Sequence, residues 1–153
     1  MRLRRIAWTL CALALLAPPA RAVDGYVGVG FGHSSRADHS LVAGELIWPI
    51  DSPLRLNFNV EYFRQDDVRH YTTSLDALYF GSLRPIDPRL TGWIGLGFGL
   101  LTRDPVGPRQ DTTRDGQVNV ITGVGFEGPV MPFVQLKLAA RKPTWLIGVR
   151  FAL

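Results

Sequence analysis

The stretch Leu54-Arg55-Leu56-Asn57-Phe58-Asn59-Val60-Glu61-Tyr62 puts an apolar side chain on every second position and a polar one between each pair. Successive side chains of a β-strand point to opposite faces, so this alternation reads as a strand with one greasy face and one polar face. Trp145, Ile147, Val149, Phe151 and Leu153 repeat the pattern at the end of the chain. Working outward from these two runs, eight segments carry the period of two: 24–33, 40–49, 54–63, 72–84, 90–101, 117–127, 130–140 and 144–153. Most are close to the roughly 9–11 residues with which a tilted strand crosses a bilayer. Glycine and proline are too frequent, and the period is too short, for a helix. The reading is all-β: an eight-stranded antiparallel up-and-down transmembrane barrel.

Parity sorts the side chains onto two faces. One set holds the two runs above together with Ile94, Leu96, Phe98, Val118, Val120, Val124, Phe126, Val134, Leu136 and Leu138, and none of these is charged. That set is expected to meet lipid, where a charge at the midplane costs about 2–4 kcal/mol. Aromatic residues gather toward its strand ends, as in interfacial girdles. Tyr62, Tyr71, Phe98 and Trp145 are expected at an outer rim, and Trp48, Phe126 and Phe151 at an inner rim. The opposite set contains three acids, Glu45, Glu61 and Asp76, and three bases, Arg55, Lys137 and Arg150. Enclosed charges must pair, so these six are expected to form an interior polar network that plugs the lumen. Asn57, Asn59, Asn119 and Gln135 share their face, as do the glycines at 28, 30, 32, 95, 97, 99, 123 and 125. Those glycines are expected to make room for Phe63, Phe80, Trp93 and Phe133.

Residues 1–22 read as a targeting segment and not as fold. Arg2, Arg4 and Arg5 precede an apolar run from Ile6 to Ala17, and Ala20-Arg21-Ala22 is a cleavage pattern. The domain reading is a cleaved signal peptide, 1–22, followed by a single barrel domain, 23–153. The whole chain carries 17 Lys+Arg against 13 Asp+Glu. Four of the bases (Arg2, Arg4, Arg5 and Arg21) lie in the first 22 residues with no acid, so residues 23–153 are formally neutral. Nucleic-acid binding, which needs a lasting positive excess, loses its support. The one cysteine, Cys11, falls in the leader, so the remainder has neither disulfide nor thiolate chemistry.

The connections alternate in character between polar, mostly longer stretches (Ser34–His39, Arg64–Tyr71 and Thr102–Gly116) and tight ones (Ile50–Pro53, 85–89 and Gly128-Pro129). Only the seventh, around Arg141-Lys142-Pro143, breaks the contrast. Long loops outside and short turns inside are how outer-membrane barrels are built. The nine prolines after the leader (49, 53, 85, 88, 105, 108, 129, 132 and 143) fall in connections or at strand ends, as closed ladders require.

On this pattern the chain resembles the small eight-stranded outer-membrane barrels of the OmpA/OmpX-like kind, across all of residues 23–153. The resemblance implies a Gram-negative outer-membrane protein exported through a signal peptide. In that family the last strand ends in an aromatic residue; here the nearest is Phe151, two positions before Leu153. There is also a distant likeness to PagL-type lipid A deacylases, which carry a His-x-Ser-Asn motif late in the chain and a glutamate on the following strand. His33-Ser34-Ser35 with Glu45 imitates that spacing on the first hairpin, but Arg36 stands where the asparagine belongs. The late strand reads Lys137-Leu138-Ala139-Ala140-Arg141, with neither His nor Ser. No catalytic residue is therefore assigned, and His33 and Ser35 are left as loop residues.

No cofactor or metal is expected. The three histidines, at 33, 39 and 70, map to strand ends or loops and lack a full set of ligands. The spaced glycines lie within strands, without the strand-to-helix turn of a nucleotide loop. The expectation is a monomeric, non-enzymatic, porin-like envelope protein with a plugged interior. Its expected partners are outer-membrane lipid, lipopolysaccharide and whatever its loops meet outside. Three alternatives stay open: an acyl hydrolase in the same barrel, a narrow pore, and a soluble periplasmic ligand carrier.

Overall fold

The alternating runs fold into eight strands, and the ends of the sheet find each other. The computed structural model describes residues 25–153 except 36, 37, 52, 84, 85, 107–110, 140 and 141. The expected signal peptide, residues 1–22, lies outside the described residues, as does the expected start of the first strand at Asp24. The strands are β1 (Tyr26–Ser34), β2 (His39–Asp51), β3 (Leu54–Gln65), β4 (Val68–Ser82), β5 (Leu90–Pro105), β6 (Thr113–Phe126), β7 (Val130–Ala139) and β8 (Lys142–Ala152). Each pairs antiparallel with its sequence neighbour, and β1 pairs with β8, so the barrel is closed. Closure leaves no edge along the wall, the condition for a sheet to sit in hydrocarbon.

The register fixes the shape. One row of cross-strand partners runs Tyr26, Ile47, Asn57, Asp76, Gly97, Asn119, Ala139 and Lys142. Tyr26 itself pairs with Ala152, ten residues along β8 from Lys142. This stagger of ten across eight strands requires a strong tilt, roughly 40°. It also gathers inward residues of distant strands at one height.

Burial follows parity, and in the expected sense. Ile94, Leu96 and Ile147 are 59%, 63% and 63% exposed on the outside of the wall. Glu45, Glu61, Asp76, Lys137 and Arg150 are buried inside. The inward glycines are clearances. A β-carbon at Gly123 would strike the indole of Trp93, and one at Gly28 would strike the side chain of Glu45.

The connections differ from the expectation. β3 and β4 stay paired up to Gln65↔Val68, so the stretch expected as a loop from Arg64 to Tyr71 is a hairpin whose turn is Asp66-Asp67. The turn uses the left-handed backbone of Asp66, φ 50°, which a short polar side chain tolerates. β5 runs on to Pro105 and β6 begins at Thr113, which shortens the fifth connection to 106–112. The fourth, at 83–89, is as long. The contrast in loop length is therefore absent. Polar side chains signalled water on both faces rather than a break in the ladder, and backbone pairing continues where both faces are wet. The β3–β6 wall stands past its neighbours. Pairing with β2 stops at Tyr62↔Val42, and pairing with β7 stops at Asn119↔Ala139. Four prolines lie within strands, each near an end: Pro49 at a register shift, Pro105 as the last residue of β5, Pro132 where β6–β7 pairing gives out after Gly125↔Phe133, and Pro143 as the second residue of β8.

Candidate functional site: the filled lumen and the two rims

The lumen has three levels, each built from inward positions of several strands. At the inner end, where the chain termini of the barrel lie, Ile47, Leu78 and Met131 are fully buried beside Phe80, Trp93 and Phe133. Phe80 stacks on Trp93 at 5.3 Å between centroids, and Phe133 meets Trp93 edge-on at 6.2 Å. Two of the interior bases lie on these rings. The Arg150 guanidinium is 4.0 Å from the Trp93 centroid and 4.3 Å from that of Phe133. Arg55 lies 4.6 Å from the Phe80 centroid and 5.1 Å from that of Tyr26. Guanidinium planes over aromatic faces gain both packing and electrostatic attraction.

Above this apolar floor come the ion pairs. Arg150 Nε donates to Glu45 Oε1 at 2.7 Å, and its Nη2 donates to Glu45 Oε2 at 3.2 Å and to Gln135 Oε1 at 3.1 Å. Gln135 Oε1 also accepts from Trp93 Nε1 at 3.0 Å. Lys137 Nζ donates to Glu61 Oε1 at 2.7 Å, Ser74 Oγ at 2.8 Å and Asn59 Oδ1 at 3.4 Å. Two of the acids are thus held in ion pairs, Glu45 by Arg150 and Glu61 by Lys137. Asp76 accepts a hydrogen bond from Asn119 Nδ2 at 3.0 Å instead of meeting a cation, across the clearance of Gly97. Both side-chain polar atoms of Asn57, with Asp76 Oδ2 and Asn119 Oδ1, use no protein partner; internal water commonly serves such atoms.

The outer mouth opens into a vestibule of about 190 Å³ with a mixed wall, floored by Glu61 and Lys137 and lined by Phe63, His70, Leu101 and Thr144 among others. His70 stacks on Phe63 at 4.3 Å. The set resembling a hydrolase is not assembled. His33 points outward, 3.5 Å from Asp38, while Glu45 is inside on Arg150. Among the described residues no group of His, Cys, Asp or Glu is arranged to hold a metal.

The aromatic positions fall on the outer surface of the wall. Trp48, Phe126 and Phe151 lie near the inner strand ends, joined by Tyr79, 53% exposed, which the sequence reading did not single out. Its run, 72–84, is apolar at enough positions of both parities to hide it. At the other end, Tyr62 and Tyr71 are cross-strand partners with rings 5.2 Å apart, and Trp145 sits near the start of β8. Phe98 falls well inside β5, because that strand extends past 101; its ring leans over Gly116. Only Leu100 separates it, on the same face, from Thr102. The outward bases Arg64 and Arg69, hidden by the loop reading, are opposed across β3–β4.

A closed eight-stranded antiparallel barrel, greasy outside and ionic inside, is the architecture of small outer-membrane barrels. Solved structures share it. The chain is similar to the N-terminal β-barrel domain of OprF from Pseudomonas aeruginosa, with TM-score 0.63 and 15% identity over 87% of this chain and all of that one. It is similar to Neisserial surface protein A, with TM-score 0.65 and 15% identity over 88% of this chain and all of that one. It is also similar to the outer membrane protein Ail of Yersinia pestis, with TM-score 0.55 and 9% identity over 86% of this chain and all of that one. At these identities the likeness is one of fold. No protein-family model and no curated protein sequence matches the chain.

Proposed function

We propose that this chain is an integral protein of a Gram-negative outer membrane. In this reading it is a monomeric, non-enzymatic and non-conducting barrel that anchors the rigid β3–β6 rim outside the cell. The observation that supports it most is the inversion of polarity. Large apolar side chains cover the exterior, while ion-paired and amide side chains fill the interior. A soluble barrel would be built the other way round, and a charged interior with a greasy wall is stable only where the surroundings are hydrocarbon.

The closed inner end favours an anchor over a pore. The aromatic and aliphatic floor around Phe80, Trp93, Phe133 and Met131 stands between the ionic level and the inner face. Contact with lipopolysaccharide and with extracellular partners would then fall to the outer surface of the wall and to the projecting hairpins. The reading is tested by expressing the full chain in a Gram-negative host. The outer-membrane fraction is extracted with and without detergent, then run on a gel boiled and unboiled. The expected result is detergent-dependent extraction and a band that shifts on boiling. Release without detergent, with no shift, contradicts it.

A further inference from the structure

Building on the membrane reading, we propose that Arg64 and Arg69, with Tyr62, Tyr71 and Arg114 in the row beneath them, form a binding site for the phosphate groups of an outer-leaflet glycolipid. Arg64 and Arg69 are direct cross-strand partners, both exposed on the outward face. Like charges in opposed positions repel, and an anion between them removes the repulsion. Arg64 is half-satisfied: Nε donates to the Asp66 carbonyl at 3.2 Å and Nη2 to Asp67 Oδ1 at 3.2 Å, with the side chain 53% exposed. Neither Arg69 nor Arg114 has an ion pair among the described residues. Asp104 lies across from Arg69, but its Oδ1 accepts from Thr112 Oγ1 at 3.2 Å. The carboxylates nearest in the ladder are Asp66 and Asp67 in the hairpin turn, the latter held by Arg64, and Asp104 opposite Arg69, while Arg114 lies opposite Thr102.

What lies below identifies the ligand class. The row Tyr62, Tyr71, Thr102 and Arg114 crosses four strands side by side. The next outward row toward the membrane is Val60, Thr73, Leu100 and Gly116, and the one after it is Phe58, Leu75, Phe98 and Val118. Within two steps of the alternation, the outer surface passes from guanidinium through phenol to hydrocarbon. A ligand touching all three levels is an amphiphile, with acyl chains on the apolar rows and an anionic head on the arginines. Planar guanidinium forks match phosphate oxygens in pairs, which an ammonium cannot do. At the inner ends, the corresponding outward positions are Trp48, Tyr79, Phe126 and Phe151, with no cation among them. Among the described residues the inner end offers a single exposed arginine, Arg89, beside Asp87, not an opposed pair of bases.

The test uses the barrel in detergent micelles with two probes, bisphosphorylated lipid A and the same lipid with its phosphates removed. Retention is read by native mass spectrometry. The wild type is expected to hold the phosphorylated probe at least tenfold more tightly. The triple variant Arg64→Gln, Arg69→Gln, Arg114→Gln is expected to lose that preference. A double variant, Arg69→Gln with Arg114→Gln, keeps the Arg64–Asp67 contact and is expected to lose most of it. Arg89→Gln, in the inner connection, is expected to change nothing. Millimolar inorganic phosphate is expected not to displace the lipid. Equal retention of the two probes, or an unchanged preference in the triple variant, overturns the proposal. Complete displacement by inorganic phosphate overturns it too, since the site would then take free anions. A barrel that shifts on boiling but shows no preference sinks this inference alone; one that never enters the membrane sinks the reading beneath it.

Discussion

Lys137 is 1% exposed and spends its donors on Glu61, Ser74 and Asn59. Removing one partner of such a pair strands a buried charge, at a cost of about 3–5 kcal/mol, whereas replacing both by apolar groups of similar volume is often neutral or better. Glu61→Leu alone is therefore expected to lower the urea midpoint of the lipid-inserted barrel strongly, and Glu61→Leu with Lys137→Met to restore most of it. A single and a double variant with equal midpoints would show that the pair carries no such energy. Glycines offer a cleaner contrast. At Gly123 a methyl group collides with Trp93, whereas at Gly44 on the outer wall nothing lies within 4 Å. Gly123→Ala is expected to destabilise by about 1–3 kcal/mol through overpacking, and Gly44→Ala to stay within about 0.5 kcal/mol of wild type. Which residues would face inward was legible at this scale, because parity alone decides it. Which of them would touch was not. Asn119 meets Asp76 across 43 positions and Trp93 meets Gln135 across 42, and both contacts depend on a stagger that no local pattern encodes.

The β3–β4 hairpin shows where the reading of elements stopped short. From Arg64 to Tyr71 the apolar beat is lost, and a loop was expected, yet the pairing runs unbroken from Leu54↔Tyr79 to Gln65↔Val68. The apolar beat reports contact with lipid or core, while the ladder needs only backbone groups in register. Past the membrane the two signals separate. In β5 the residues after Leu101 are likewise polar and still paired, up to Pro105 with Val68. Native-state hydrogen exchange checks this directly. Ladder-bonded amides in 102–104 and 69–71 are expected to be protected like those of the membrane-spanning rows. Exchange at loop rates there would mean that the rim is not a rigid wall. The free edge of β6, beyond its last pairing with β7 at Asn119, is expected to exchange faster than its edge on β5.

At the scale of the whole molecule, three features act together: a closed ladder, an exterior whose described belt residues carry no charge, and a lumen filled from an aromatic floor up to the ion pairs below its mouth. On the proposed reading the filled lumen carries no current, so planar bilayers containing the protein are expected to show no stable ohmic current; a reproducible one would mean that the floor opens. The fold class, the two faces and the strand count were all legible in the sequence, because each follows from a period of two and from where prolines and turns interrupt it. The lumen's layering was not, since it arises from the ten-residue stagger between Tyr26's two partners in β8. The claim under all of this is which face meets hydrocarbon, and three tryptophans report on it. Trp48 and Trp145 are 51% and 52% exposed on the outer wall, and Trp93 is 3% exposed within. Variants keeping one of these tryptophans, the others replaced by phenylalanine, can be inserted into vesicles of ordinary or acyl-chain-brominated lipid. Bromine is expected to quench Trp48 and Trp145 fluorescence and to leave Trp93 bright; a quenched Trp93 beside unquenched Trp48 and Trp145 would contradict the account.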